Sequence, residues 1–125
     1  MSHKWVKIDY RGGGVMQVEL TQEKCIPCSL DTPPMKGDIL YELLDTLHPQ
    51  WLLVEETHIE RKFKFKDFVE ALAFVNKIGE LAESEGHHPD IQLGWGKVKV
   101  TLITHKIKGL SRNDFVLAAK IDQLL

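Results

Sequence analysis

The sequence predicts an α+β domain in the order helix-strand-strand-helix-strand-strand-helix, with a four-stranded antiparallel sheet and the helices packed on one of its faces. Three observations carry that expectation. Apolar residues recur at helical spacing in three stretches, and at period two in the segments between them. The strand-like segments come in pairs only a few residues apart, the separation of antiparallel neighbours. A chain of 125 residues has the length of one domain, with enough apolar surface to bury a modest core.

Ile39, Leu40, Leu43, Leu44 and Leu47 place an apolar stripe along a first helix over roughly Lys36 to Leu47. His48-Pro49 ends it, because the residue before a proline is pushed out of the helical region. Trp51 to Glu55 and Ile59 to Phe65 read as a hairpin turning near Glu56-Thr57, with Ile59, Arg61, Phe63 and Phe65 alternating against Glu60, Lys62 and Lys64. Asp67-Phe-Val-Glu70 resembles a capping box, and Phe68, Ala71, Val75, Ile78 and Ala82 continue at helical spacing to about Glu85. Gly86 stops this long central helix.

Ile91 to Leu93, a Gly94-Trp95-Gly96 bend and Lys97 to Thr104 form a second hairpin, in which Val98, Val100 and Leu102 alternate with Lys97, Lys99 and Thr101. Ser111-Arg-Asn-Asp114 caps a last helix that buries Phe115, Ala118, Ala119 and either Ile121 or Leu125. Residues 1–33 differ in character. Gly12-Gly-Gly14, Cys25-Ile-Pro-Cys28 and Asp31-Thr-Pro-Pro34 are turn-forming, and predict an arm or loosely attached hairpin ahead of a domain spanning 34–125. A sheet with one uncovered face and open edges also predicts assembly with further copies of the chain.

Composition narrows the function classes. The apolar fraction of 43% and charged fraction of 27% are those of a folded soluble protein. A net charge of −2 gives no strong field for nucleic acid or an anionic membrane. Trp51-Leu-Leu-Val54 and Ala71-Leu-Ala-Phe-Val75 fall well short of the ~20 residues that cross a bilayer. The first residues lack a secretory apolar core and two cysteines are too few to staple a secreted domain, so a cytoplasmic setting is expected. The run Arg61-Lys-Phe-Lys-Phe-Lys66 interleaves cations and aromatics as some single-strand binders do, but strand alternation explains it better, with Phe63 and Phe65 inward and the lysines in water.

His87-His88-Pro89, directly after the helix-stopping glycine, is the densest run of groups that titrate near neutrality. His105 follows the Lys97 to Thr104 strand on the parity of Lys97, Lys99 and Thr101, which points it to the open sheet face, where it can meet the His87-His88 turn. On spacing alone these histidines read either as exposed turn residues or as a three-imidazole acid–base site. His3, His48 and His58 have no such company and read as surface residues. Cys25-Ile-Pro-Cys28 has the gap of a zinc knuckle, yet no second such pair exists and the histidines lie far away and adjacent, so a metal site is disfavoured.

Glu83-Ser-Glu-Gly-His87-His88-Pro89, followed by Trp95, His105 and Asp114, resembles the signature of the pterin-4a-carbinolamine dehydratases. Trp51, the run from Phe63 to Phe68, and Gly109-Leu-Ser111-Arg-Asn-Asp114 are similar to that family too, as is Cys25-Ile-Pro-Cys28 before a Pro-Pro pair. The resemblance implies an α+β fold assembled into a homodimer or homotetramer. It also implies elimination of water from a 4a-hydroxytetrahydropterin to give the quinonoid dihydropterin, without metal or organic cofactor. His87 and His105 then act as acids on the leaving hydroxyl, and His88 binds the pterin and handles the ring proton. Asp114, Glu83, Pro89, Trp51 and Trp95 become candidate substrate-binding residues. Asp114 either orients an imidazole or holds the aminopyrimidine edge, and it is equally placed to serve as a helix cap. After Pro89 the chain has Asp90-Ile91 where family members often carry an aromatic, which leaves the stacking surface unassigned. The resemblance also implies an alternative on the same scaffold, a dimerisation partner of transcription factors.

Overall fold

A computed structural model describes residues 20–27 and 32–125 of the chain; Gly12 to Gly14 and Cys28 lie outside the described residues. Helix α1 spans Asp38–Asp45, strands β1 and β2 span Leu52–Val54 and His58–Lys64, and α2 spans Phe68–Glu85. Strands β3 (Asp90–Gly94) and β4 (Lys97–Leu102) follow, then a single 3₁₀ turn over His105–Ile107 and helix α3 over Arg112–Asp122. The sheet is antiparallel throughout, in the order β1-β2-β4-β3, so the second strand of each hairpin lies at its centre.

Alternation places the core. Ile59, Phe63, Val98, Val100 and Leu102 are buried on one face, against Leu40, Leu43 and Leu47 from the α1 region, Ala71, Phe74, Ile78 and Ala82 of α2, and Phe115 of α3. The Phe74 ring sits 4.8 Å from that of Phe63 and 5.1 Å from that of Phe65. Helix α3 is the most enclosed element, with residues 113 to 119 all buried. On the opposite sheet face Lys62 stands across from Lys99 and Lys64 from Lys97.

Start and stop signals act as the sequence predicts. The Asp67 side chain caps α2 by accepting from the Glu70 N–H, and the Glu70 carboxylate reaches back to the N–H of Lys66, one residue before the cap. Gly86 takes a left-handed φ of 67° and its N–H donates to the Ala82 carbonyl, ending the helix where a side chain would be strained.

Three details depart from the expectation. Phe68, the first residue of α2, is exposed, and Phe74 completes the buried arc with Ala71, Ile78 and Ala82. Ile121 is buried and Leu125 is exposed, which resolves the alternative at the end of α3. Strand β4 stops at Leu102, because buried Thr104 turns inward to bond Ser111 and Asp114 and its N–H pairs with the Gly109 carbonyl. The period-two parity therefore does not extend to His105, which sits on the 3₁₀ turn instead.

Residues 20–27 lie against α2 and α3. Leu20 joins the core, Glu23 forms a two-point ion pair with Arg112, and the Cys25 N–H donates to Glu85.

Candidate active site

The left-handed turn at Gly86 throws His87 off the end of α2 and towards the start of α3. His87 Nε2 lies 2.7 Å from Asp114 Oδ1, and Asp114 is wholly buried. The other carboxylate oxygen accepts from Thr104 Oγ1 at 2.8 Å and from the Ser111 N–H at 3.0 Å. The Ser111 side chain in turn takes the Asp114 N–H, so the cap of α3 and the seat of His87 are one structure. The helix N-terminus favours the negative charge there. A ring nitrogen facing a carboxylate does so as an N–H donor, so neutral His87 carries its proton on Nε2 and its lone pair on Nδ1.

The other two imidazoles also face acids. His88 Nε2 is 2.5 Å from Glu83 Oε2, one turn back on α2, and His105 Nε2 is 3.3 Å from Asp90 Oδ2 at the start of β3. Both pairs are exposed, so they contribute orientation more than stability. His87, His88 and His105 line one cleft of about 290 Å³, with Thr104 and Asn113 also in its lining and Ile26, Pro27 and Ile103 supplying apolar surface. That volume is at the small end of the range for small-molecule sites.

Pro89 joins His88 to β3 and fixes the turn that carries both histidines. Trp95 projects from the β3–β4 turn, 70% exposed, and does not line the cleft. Trp51 does not line it either. It is buried elsewhere, with its indole N–H donating to Asp122, which also takes Arg61 Nη1 at 2.7 Å. Burial pushes the Asp122 carboxyl up to about 6, against the opposing pull of Arg61 and the indole. Among the described residues, no three His, Cys, Asp or Glu side chains are grouped as a metal centre.

Sequence reasoning missed Asp90, Thr104, Asn113 and the Ile26-Pro27 pair as cleft or support residues. Asp90 was within reach, since it follows His87-His88-Pro89 directly. Ile26 and Pro27 carry no local signal, and only tertiary packing brings them beside histidines sixty residues on.

A family model described as pterin 4 alpha carbinolamine dehydratase matches residues 33–124. A relative from Alkaliphilus metalliredigens, provisionally named a pterin-4-alpha-carbinolamine dehydratase, is 58% identical over 104 residues, covering 83% of this chain and 94% of its own. One from Rubrobacter xylanophilus with the same provisional name is 52% identical, covering 85% of this chain and 98% of its own. Among solved structures, one titled a transcriptional coactivator/pterin dehydratase from Brucella melitensis superposes with a TM-score of 0.68 at 33% identity, covering 73% of this chain and 97% of its own. A pterin dehydratase-like protein titled as a RuBisCO assembly factor superposes with a TM-score of 0.53 at 25% identity, covering 62% of this chain and 90% of its own. The chain belongs to the pterin 4 alpha carbinolamine dehydratase family.

Proposed function

We propose that this dehydratase eliminates water from a 4a-hydroxytetrahydropterin to give the quinonoid dihydropterin, in tetrahydropterin recycling, with His87, His88 and His105 as its acid–base groups. The observation that carries the reading is the convergence of three imidazoles on one small cleft, each backed by its own carboxylate. A proton delivered to the C4a hydroxyl lets it leave as water, and loss of the N5 proton completes the C=N bond. Imidazoles, which can both give and take a proton, suit both transfers.

In this reading His87, in its imidazolium form with Nε2–H on Asp114 and a second proton on Nδ1, and His105 act as the acids on the hydroxyl, while His88 binds the ring and takes the N5 proton. Asp114 is a positioning residue: both of its oxygens are already engaged, which supports the orienting role over contact with the aminopyrimidine. Glu83 and Asp90 orient His88 and His105, and Pro89 holds the turn. Trp51 and Trp95 have no part in it, since neither lines the cleft. The setting is the cytoplasm, where a thiol such as Cys25 stays reduced. The working form is a homo-oligomer, supported by the exposed stripe of Phe68, Val69 and Leu72 on α2.

The test is steady-state dehydration of enzymatically generated 4a-hydroxytetrahydropterin. His87→Ala and His105→Ala should each lower kcat by roughly 10²-fold to 10⁴-fold, the usual contribution of a positioned acid or base. Unchanged kcat in both variants would leave an interaction role on the same scaffold as the better account, in line with the coactivator title of the Brucella melitensis relative.

A further inference from the structure

We infer that the segment from Glu23 to Pro27 builds one wall of the catalytic cleft, that Ile26 and Pro27 set the fit of the flat ring held against the histidines, and that Asn113 positions that wall. The inference deepens the pterin reading of the cleft and rests on it.

The chemistry of the lining supports it. The histidines, Lys106, Thr104 and Asn113 give the cleft its polar groups, and a bicyclic ring also needs apolar surface against its face. Neither Trp51 nor Trp95 supplies that surface, and Ile91 packs against the core instead. Ile26, Pro27 and Ile103 are the apolar side chains that line it.

The attachment of the segment points the same way. Ile26 is 70% exposed, so its own side chain does little to hold it in place. Its backbone is fixed at both polar atoms by one side chain: the Ile26 N–H donates to Asn113 Oδ1 at 2.9 Å, and Asn113 Nδ2 donates to the Ile26 carbonyl at 2.5 Å. On one side of this clamp the Cys25 N–H donates to Glu85, which is itself held by Lys120. Two residues earlier on the same side, Glu23 accepts from Nε and Nη2 of Arg112. An exposed isoleucine held this firmly at the mouth of a cleft is ordered before any ligand arrives, which lowers the entropic cost of covering it. Pro27 adds a stiff backbone and no N–H for water to occupy.

Asn113 and Asp114 are neighbours on the first turn of α3. One clamps the wall and the other seats His87, so the first turn of one helix sets the spacing between the apolar surface and the imidazole.

Dehydration kinetics on the full chain test this, together with thermal-shift binding of 7,8-dihydrobiopterin as a stable pterin probe. Ile26→Ala should raise KM for the 4a-hydroxytetrahydropterin roughly fivefold to tenfold, as removal of apolar contact surface does, and leave kcat within about twofold. It should weaken dihydrobiopterin binding by a similar factor. Asn113→Ala should do the same, and the double variant should be no worse than the poorer single one, because both act through one wall. If Asn113→Ala does not fold, Ile26→Ala and Ile26→Asp decide the matter alone, since an exposed side chain can change without loss of the core. Unchanged KM and unchanged probe binding in an active Ile26→Ala enzyme overturn the wall. A wild-type chain that neither dehydrates the substrate nor binds the probe overturns the pterin reading instead.

Discussion

At Asp114 one carboxylate oxygen meets His87 and the other takes Thr104 and the Ser111 N–H, so an amide there must turn its NH₂ towards a donor. Asp114→Asn should therefore lower kcat by roughly 10²-fold and cost about 1 to 3 kcal/mol of stability, the penalty of an unpaired buried polar group. Ser111→Ala loses the cap bond and the bond to the Thr104 hydroxyl but keeps the Ser111 N–H on Asp114, so it should cost about 1 to 2 kcal/mol with a much smaller loss of kcat than Asp114→Asn. Kinetics and denaturant midpoints on the two variants separate orientation of His87 from capping of α3. Elsewhere, burial and the nearby Glu85 carboxylate push the Cys25 thiol up to about 12. Iodoacetamide at pH 8 should label it far more slowly than free cysteine, followed by mass spectrometry of the peptide carrying it. The sequence placed Asp114 at a cap and, by resemblance, at the site. That its two oxygens divide between those duties was not legible, because His87 lies 27 residues away.

Strand β2 and the end of α3 are tied by a buried pair that no local pattern announces. Alternation put Arg61 on the inward side with Ile59 and Phe63, but not its partner Asp122, which lies 61 residues further on. The folded Asp122 carboxyl titrates near 6 because burial disfavours its charge, while its ordinary value is 3.8. Between those values the native state holds a proton that the unfolded chain has lost, so this group costs stability as pH rises through that window, by ~3 kcal/mol above it. Urea midpoints for wild type and Asp122→Asn, compared at pH 4 and pH 7, should show the wild type losing ground to the variant at the higher pH; a constant difference would refute this. The end of β4 departs from the sequence pattern for a related reason. Period two runs on to Thr104 in the sequence, but the hydroxyl of Thr104 has buried partners in Ser111 and Asp114, and they draw the chain out of the sheet at Leu102.

For the whole molecule, element order and the composition of the core were legible, since helical and strand periods are local properties. The sheet order β1-β2-β4-β3 was not, because it depends on how two hairpins meet. The open sheet face was also expected to carry assembly. Its facing lysines, Lys62 with Lys99 and Lys64 with Lys97, oppose stacking of two such faces. The apolar stripe on α2 is the better surface, with Phe68 and Leu72 four apart and Val69 and Leu72 three apart. Sedimentation velocity should find a multimer, and Val69→Glu should shift it towards smaller species without unfolding it.

The central claim is that three carboxylate-backed imidazoles perform the elimination, and the decay of a 4a-hydroxytetrahydropterin in the presence of catalytic amounts of protein tests it most directly. The account predicts many turnovers of wild type above the solvent rate, and loss of most of that acceleration in folded His87→Ala, His88→Ala and His105→Ala. A wild-type rate equal to that of buffer, or three histidine variants as fast as wild type, would contradict it.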